Sequence, residues 1–596
     1  GIVLVGSFTA EIASIFVESR LKNHSAVQNV NFYNHIIICG YLSDPHDLVS
    51  QFFDEGRAKT KDKLVFLFPY PPSHQMENFL KKIKYRKKIK YVIGSPLMTE
   101  DLARVNAHLA KAAFIFTNRF VEDYDKQDSQ TILTGLSIEN YNKDIDTYAQ
   151  LLKSKNLDSL LAAGIDNYIT LDSLSSNLFA YSCLNPGLSE LIRNLLMACD
   201  YNFSEFKFDA KEEEEYLYGS NQEIYKIKIG DGLIGKTFSQ VSSIIYNEYG
   251  LAAIAIEREN NKSTLSINPG SSWEVEQSDR IFVLTNNYKD ALKISKLKTI
   301  SKDVPDAHLV DSNKIKHDGW KGNIINPNNA VLDKINFDNH IIICGQINNL
   351  ELIINPLRSA DLIDFQRIVI LNTTPPSDKD WKKLSQYNEI YFVKGSSHIY
   401  EDLDKVNISN ADKAIILSDT QQKITKGEEN FYDAETIMSV MAIETMHPEV
   451  YTIAELLCSS STKFVKPGYE KIGNDDNKFS VDEVIDISMI ANSLIMQEYN
   501  HPHTTNIFNE LFAYKNQDIY DEDTCEVYQI QIPKQLIGKT YKELFSYLSL
   551  SHNIIPIGLY RMGAEDPFVF TNPPGDVLLS EADKAYVLAG YEPMIN

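Results

Sequence analysis

Basic charge is scarce in this chain. Its 58 Lys and Arg face 81 Asp and Glu, a formal net charge of -23. Such a surface repels a phosphate backbone, so nucleic acid is excluded as a partner. It attracts cations, although an acidic total does not by itself make a metal site. Cysteine is also sparse: Cys39, Cys183, Cys199, Cys344, Cys458 and Cys525 are scattered, with no C-x-x-C pair. That excludes a disulfide scaffold or zinc ribbon and fits a reducing compartment. Cys39 and Cys344 lie inside apolar runs and read as small core residues. No apolar run approaches the ~20 residues that span a bilayer as a helix; stretches such as Ala252–Ile256 are strand-sized. A signal-peptide pattern is missing too. The opening Gly1-Ile-Val-Leu-Val5 carries no Met, so the expectation is a fragment of a longer polypeptide.

Catalytic motifs are equally short. A Walker loop, a G-x-S-x-G elbow and H-E-x-x-H are all missing, so no enzyme is expected. Dinucleotide binding needs G-x-G-x-x-G so that backbone can approach a pyrophosphate at a helix N-terminus. Gly40-Tyr-Leu-Ser-Asp-Pro45 and Gly345-Gln-Ile-Asn-Asn-Leu350 keep only the first glycine. The ribose-binding acid is replaced by Pro69-Tyr-Pro-Pro72 and Asn372-Thr-Thr-Pro-Pro376. No bound NAD or ATP is expected.

What the chain does have is an internal repeat, offset by about 300 residues. Asn34-His-Ile-Ile-Ile-Cys-Gly40 recurs as Asn339-His-Ile-Ile-Ile-Cys-Gly345. Gly94-Ser-Pro-Leu-Met-Thr-Glu-Asp-Leu-Ala-Arg-Val-Asn106 recurs as Gly395-Ser-Ser-His-Ile-Tyr-Glu-Asp-Leu-Asp-Lys-Val-Asn407. Leu233-Ile-Gly-Lys-Thr-Phe238 returns as Leu536-Ile-Gly-Lys-Thr-Tyr541, and Ile267-Asn-Pro-Gly270 loosely as Thr571-Asn-Pro-Pro-Gly575. The order is kept, so the chain is a duplicated domain pair.

Within a copy, short apolar β-branched runs alternate with helical stretches. The first has runs at His35–Cys39, Leu64–Phe68, Lys90–Ile93 and Ala112–Thr117, with a helical Gln130–Glu139. The second repeats them at His340–Cys344, Arg367–Leu371, Glu389–Val393 and Lys413–Leu417. This is the pattern of an α/β fold with a parallel sheet. A helical connector follows, then a smaller β-rich lobe at Tyr225–Leu284 and Tyr528–Leu588. The connectors Gly187–Met197 and Ser488–Gln497 carry apolar stripes (Leu188, Leu191, Ile192, Leu195; Ile487, Ile490, Leu494, Ile495) that call for a partner face. The two copies are therefore expected to pack on each other. The acidic run Glu212–Glu215 reads as an exposed loop.

Tandem Rossmann-like copies with degenerate glycine loops resemble paired RCK domains, the regulators of potassium conductance. The details resemble the gating ring of BK, or Slo-type, calcium-activated potassium channels. Carrying the resemblance are His35-Ile-Ile-Ile-Cys-Gly-Tyr41, Gly94 through Val105, Ala255-Ile-Glu257 with Ile267-Asn-Pro-Gly270, and Gly558-Leu-Tyr-Arg561 with Thr571-Asn-Pro-Pro574. It implies a linker from a presumed pore helix at 1–30, where Ala10-Glu-Ile-Ala13 is similar to the family's segment. It implies a first Rossmann-like lobe and connector at 31–200 and a first C-terminal lobe at 201–295. An inter-copy linker follows at 296–333, then a second lobe and connector at 334–500 and a second C-terminal lobe at 501–596. It further implies a homotetramer through RCK–RCK interfaces, a pore domain of the same polypeptide or channel as partner, and a place at the cytoplasmic face of a membrane.

The resemblance also implies Ca2+ binding. Asp101 stands where the family has a first-copy ligand and Glu257 where it has the partner carboxylate. The matching second-copy positions are Asp402 and Tyr560, so only the first copy offers two acids. Calcium takes about six to eight oxygens, so neither acid suffices alone. On their own, Asp101 reads as an acid in a first helical turn and Glu257 as an exposed strand-end acid. The family's aspartate-rich calcium bowl is reduced here to Asn474-Asp-Asp-Asn477, with Asp475 and Asp476 as candidate ligands and Asp482-Glu483 beyond. The competing reading is a pore-free RCK tandem serving as a structural component of a large cytosolic assembly, cytoskeletal or in a cilium axoneme.

Overall fold

Strand β1, His35–Gly40, explains the sheet around it. Ile36, Ile37, Ile38 and Cys39 are all fully buried, which requires cover on both faces and favours a parallel arrangement. In this computed structural model the described residues are 29–42, 48–49, 52–53, 62–82, 85, 87–197, 211–258, 264–299, 330–345, 350–358, 365–418, 432–465, 481–512, 525–563, 567–590, 593 and 595. β1 lies between β2 (Leu64–Phe68) and β4 (Ala110–Phe116). With β3 (Ile89–Ile93), β5 (Asp146–Leu151) and β6 (Asn167–Thr170) they form a parallel sheet of order β3-β2-β1-β4-β5-β6. That is the doubly wound order of a Rossmann-type sheet.

The second copy repeats it. Strands β7 to β10 (Glu223–Lys228, Ala252–Arg258, Thr264–Ile267, Asp279–Thr285) belong to the first C-terminal lobe. Then β11 (Ala330–Leu332), β12 (Ile341–Gly345), β13 (Ile368–Asn372), β14 (Ile390–Lys394), β15 (Lys413–Leu417), β16 (Tyr451–Leu456) and β17 (Glu483–Asp486) form a parallel sheet of order β11-β14-β13-β12-β15-β16-β17. β5 and β6 of the first sheet, and β11, β16 and β17 of the second, go beyond the apolar runs read from sequence. β5 hides because its buried positions include Thr147 and Gln150, and β6 is four residues long. Gly40 (φ 95°) and Gly345 (φ 90°) are needed for close approach of chain to chain: a Cβ there would strike the carbonyl oxygen of Phe116 or Leu417.

Each C-terminal lobe is a small antiparallel sheet with a helix after its first strand, and the first lobe adds the helix Tyr288–Ser295 packed on β7. The first has order β7-β10-β8-β9; the second, from β18 (Glu526–Gln531), β19 (Ile555–Arg561), β20 (Phe568–Thr571) and β21 (Lys584–Ala589), has order β18-β21-β19-β20. The repeated Leu-Ile-Gly-Lys-Thr is the entry to the lobe helix. Gly235 and Gly538 take the same φ of 77°, and Thr237 and Thr540 cap the helices Phe238–Tyr249 and Tyr541–His552 in capping boxes with Gln240 and Glu543.

The chain divides into two compact units: Gly1–Leu174 with Ala491–Asn500, and Ser175–Ile490 with His501–Asn596. The division cuts across the copies. In the first unit, Tyr499 of the second connector donates to Asp62 (2.8 Å) and packs on Phe114 and Tyr148 of the first sheet, while Gln150 donates to Asn492 (2.8 Å). In the second unit, the first connector lies with the second copy. Its Leu188, Leu191, Ile192 and Leu195 are buried, and Asn194 donates to Thr571 (3.1 Å). The expected packing of copy on copy is therefore present within each unit. The structural mate of helix Leu188–Leu196 is Thr504–Phe512, whereas Ile487–Asn500 is the mate of Leu171–Leu184. The two stripes compared in the sequence thus belong to successive helices of the connector.

Candidate functional site

Asp101 sits in helix Thr99–Arg104, directly after the Gly94-Ser95 turn that ends β3. It is 2% exposed. Its carboxylate folds back onto that turn: Ser95 N–H donates to Oδ2 at 3.0 Å and Arg104 Nη1 to Oδ1 at 2.6 Å. Arg104 also donates to the Ile93 carbonyl (3.0 Å). A side chain at Gly94 would collide with this carboxylate, which explains the glycine. Asp402 does the same in the second copy. Ser396 N–H donates at 2.8 Å, Lys405 pairs at 2.6 Å, and Gly395 leaves the room. The hydrogen bond from Lys405 holds the Asp402 carboxyl below the usual range. The repeated Gly-Ser…Glu-Asp-Leu block is thus a loop clamp built alike in both copies.

Glu257 stands near the end of β8 and belongs to the other unit, so each acid has its own surroundings. It is 2% exposed, which corrects the reading as an exposed strand-end acid. Lys226 of β7 pairs with Oε2, and His503 Nε2 lies 3.2 Å from Oε1. Two strand neighbours of β10 thus bring lysine and glutamate together, and the second copy's connector adds the histidine. At the matching place in the second lobe, Tyr560 packs against Gly187, which has the left-handed φ (81°) that His503 has (79°). Both positions therefore tie a connector turn to a C-terminal lobe.

Both candidate acids already face a cation. As placed, each offers calcium a carboxylate that Arg104 or Lys226 neutralises, which is a poor start for a shell of anionic oxygens. Among the described residues no group of three or more His, Cys, Asp or Glu is arranged to hold a metal ion. Asp475 and Asp476 lie outside the described residues. Their neighbours Asp482 and Glu483 have structural duties. Asp482 accepts from Thr452 N–H (2.7 Å). Glu483 accepts from Gly187 N–H (2.7 Å), Ser189 N–H (2.9 Å) and the Tyr451 hydroxyl (2.7 Å), closing the N-terminus of helix Leu188–Leu196. Glu212–Glu215 is a helical turn in Lys211–Gly219 rather than a loop, and buried Glu215 pairs with Arg561 at 3.1 Å.

At the mouth of β1, where a nucleotide fold holds phosphate, the segment that follows β2 reaches back to the strand. The Tyr70 hydroxyl reaches the Gly40 carbonyl (3.4 Å), and the ring stacks on Phe68. In the second copy the Asn372 amide donates to the Gly345 carbonyl. Tyr70 and Asn372, at corresponding places in the two copies, thus each bond the glycine carbonyl that ends the central strand.

The model of the calcium-activated potassium channel slowpoke-like RCK domain matches residues 31–149 and again 336–454. That of the calcium-activated BK potassium channel alpha subunit matches 166–256, and together they cover more than half the chain. The chain belongs to the slowpoke-like RCK family. The calcium-activated potassium channel slo-1 of Caenorhabditis elegans is 26% identical over 331 residues, 53% of this chain and 28% of that protein. The RCK pair thus spans less than a third of that curated relative. The solved human SLO3 gating ring is 20% identical, covers 93% of this chain and 98% of its own, and superposes with a TM-score of 0.68, which shows a shared fold. The RCK family is a channel regulatory module, in keeping with the lack of a catalytic motif.

Proposed function

We propose that this RCK tandem is the cytosolic gating-ring portion of a BK-like, calcium-activated potassium channel, coupling divalent-ion binding to pore opening. The observation that carries it is the match of both copies to one slowpoke-like RCK family, in a chain with the fold of a gating ring along nearly all its length. Its place is the cytoplasmic face of a membrane, and its partner is a pore domain of the same polypeptide or channel. Among the described residues no helix is long and apolar enough to cross a membrane. The assembly is a homotetramer closed through RCK–RCK contacts. Supporting it are uncovered apolar residues at corresponding places on duplicate helices: Leu133 and Leu136 on Tyr124–Tyr141, Met438 and Met441 on Ala434–Met446.

Calcium is the proposed ligand, held by Asp101 and Glu257 of the first copy or by Asp475 and Asp476 of the second. A second reading is favoured by the cations already facing Asp101 and Glu257. In it, the tandem kept the fold, lost the sensor, and serves as a structural part of a cytosolic, cytoskeletal or axonemal assembly. Calorimetry separates them. Asp101→Ala/Glu257→Ala is expected to remove most calcium binding at the first-copy site, and Asp402→Ala to leave it unchanged. Unaltered binding by the double variant moves the site to Asp475 and Asp476. No binding by the unmutated chain overturns the sensing role and leaves the structural one.

A further inference from the structure

In a chain of net charge -23, one run of ten residues carries seven basic side chains and no acid: Lys81, Lys82, Lys84, Arg86, Lys87, Lys88 and Lys90. Its described part closes helix His74–Lys81 and leads into β3. Apolar members fix it to the fold. Tyr85 stacks on Phe79 with ring centroids 4.7 Å apart and lies 5.5 Å from Phe53, and Ile89 is buried. Lys81, Lys82 and Lys87 are left exposed, with Lys88 and Lys90 half-buried. Lys81 is 3.7 Å from Glu77, and Lys82 and Lys88 lie over the rings of Phe79 and Phe53.

Two ordinary explanations fall short. β3 is an edge strand among the described strands, and lysine on an edge deters pairing with another chain, which accounts for Lys90 alone. Folding does not need the charge either, because the duplicate serves as an internal control. Helix Asp378–Leu384 leads into β14 in the same way, and its stretch Lys382–Tyr391 holds two lysines and a glutamate.

We infer that this ridge docks on an anionic membrane surface, with lipid headgroup phosphates and carboxylates as its ligands. Six of the seven cations are lysines. Lysine is a mobile point charge suited to a diffuse field of headgroups, whereas one defined carboxylate or phosphate is better held by the arginine fork. The choice of a lipid surface over an acidic protein rests on the proposed function, which sets the tandem at the cytoplasmic face of a membrane.

The test co-sediments the full chain with phosphatidylcholine vesicles, with and without phosphatidylserine. Binding is expected only with phosphatidylserine and is expected to fade at high salt. Lys81→Gln/Lys82→Gln/Lys87→Gln/Lys88→Gln should weaken it by about fivefold per lysine, while Lys382→Gln/Lys383→Gln should not change it. Circular dichroism verifies that both variants are folded. No binding to anionic vesicles, or equal binding by the quadruple variant, overturns the proposal. So does self-association of the chain that the quadruple variant abolishes without any vesicle binding, since the ridge would then be a protein contact. Calcium calorimetry on the same samples keeps the two proposals apart: calcium binding without vesicle binding sinks the ridge alone, and the reverse sinks the sensing role alone.

Discussion

Glu444 shows how a single buried acid ties stability to pH. It lies on helix Ala434–Met446, is 9% exposed, and its Oε1 is buried without a hydrogen-bond partner among the described residues. Burial, helped by Asp482 and opposed by Thr452, pushes its carboxyl up to about 7. The same pressure acts on Glu139, its mate in the first copy, whose carboxyl burial also raises. An acid with a folded-state value above its unfolded one keeps its proton in the folded chain. The folded state then binds more protons between 4.5 and about 7, so this contribution is fully present below that window and is lost as pH rises through it. Glu444→Gln removes the ionisation while keeping the shape. Urea unfolding should show little change near pH 4 and a gain of about 1–3 kcal/mol at pH 8. An equal effect at both pH values would mean that Glu444 does not titrate in this range.

At the scale of elements, the repeated Asn-Pro turns join the two C-terminal lobes. Asn268 (φ 41°) and Asn572 (φ 43°) both take the left-handed conformation that asparagine tolerates. Asn268 Nδ2 donates to the carbonyls of Asn553 (2.7 Å) and Leu588 (3.0 Å) of the second lobe. Asn572 Nδ2 donates to those of Gly250 (3.1 Å) and Leu284 (3.3 Å) of the first. The acceptors correspond: Gly250 and Asn553 end the lobe helices, and Leu284 and Leu588 lie in β10 and β21. Between these clasps Tyr246 stacks on Phe545 with centroids 4.0 Å apart. Asn572→Ala should cost about 2–4 kcal/mol, because buried carbonyls lose their donor and alanine dislikes positive φ. Asn572→Gly should recover only about 1 kcal/mol of it, the conformational part. Full recovery by glycine in urea unfolding would reduce the clasp to a turn preference. The sequence contained this motif as a loose repeat and the central strands as apolar runs, because burial on both faces writes itself into composition. It did not contain the partners. Nothing local marks Glu257 as paired with Lys226, Glu483 as a cap for a helix about three hundred residues earlier, or Asn268 as a donor into the other lobe. Those contacts arise from long-range packing, which also turned Glu215 inward to Arg561.

At the scale of the molecule, duplication gives the chain two helices of the same place and similar outer face. Leu133 and Leu136 are 40% and 38% exposed; Met438 and Met441, at the corresponding positions, are 48% and 41% exposed. Single exposed apolar residues need no explanation, but pairs spaced by three on one helix face form a stripe that a partner helix can cover. Because the faces belong to different copies, the first-copy face of one chain can meet the second-copy face of the next. Such a heterologous contact propagates until rotation closes it into a ring. Methionine suits the joint, since its unbranched side chain adapts to an imperfectly matched surface. The expected outcome is a concentration-dependent oligomer in analytical ultracentrifugation. Leu136→Asp or Met441→Asp should shift it to monomer, because each would bury a carboxylate in an apolar contact. Neither should change the unfolding free energy by more than about 0.5 kcal/mol at a dilution where the chain is monomeric, as both positions are exposed there. A face-to-face pairing of like helices predicts otherwise: Leu136→Asp alone would stop at a dimer joined through the second copies. A mixture of Leu136→Asp and Met441→Asp chains decides the matter. In the head-to-tail ring each variant keeps one intact face, so the mixture forms one type of sound contact and stops at the heterodimer. Retention of the full oligomer by either variant alone would remove these helices from the assembly.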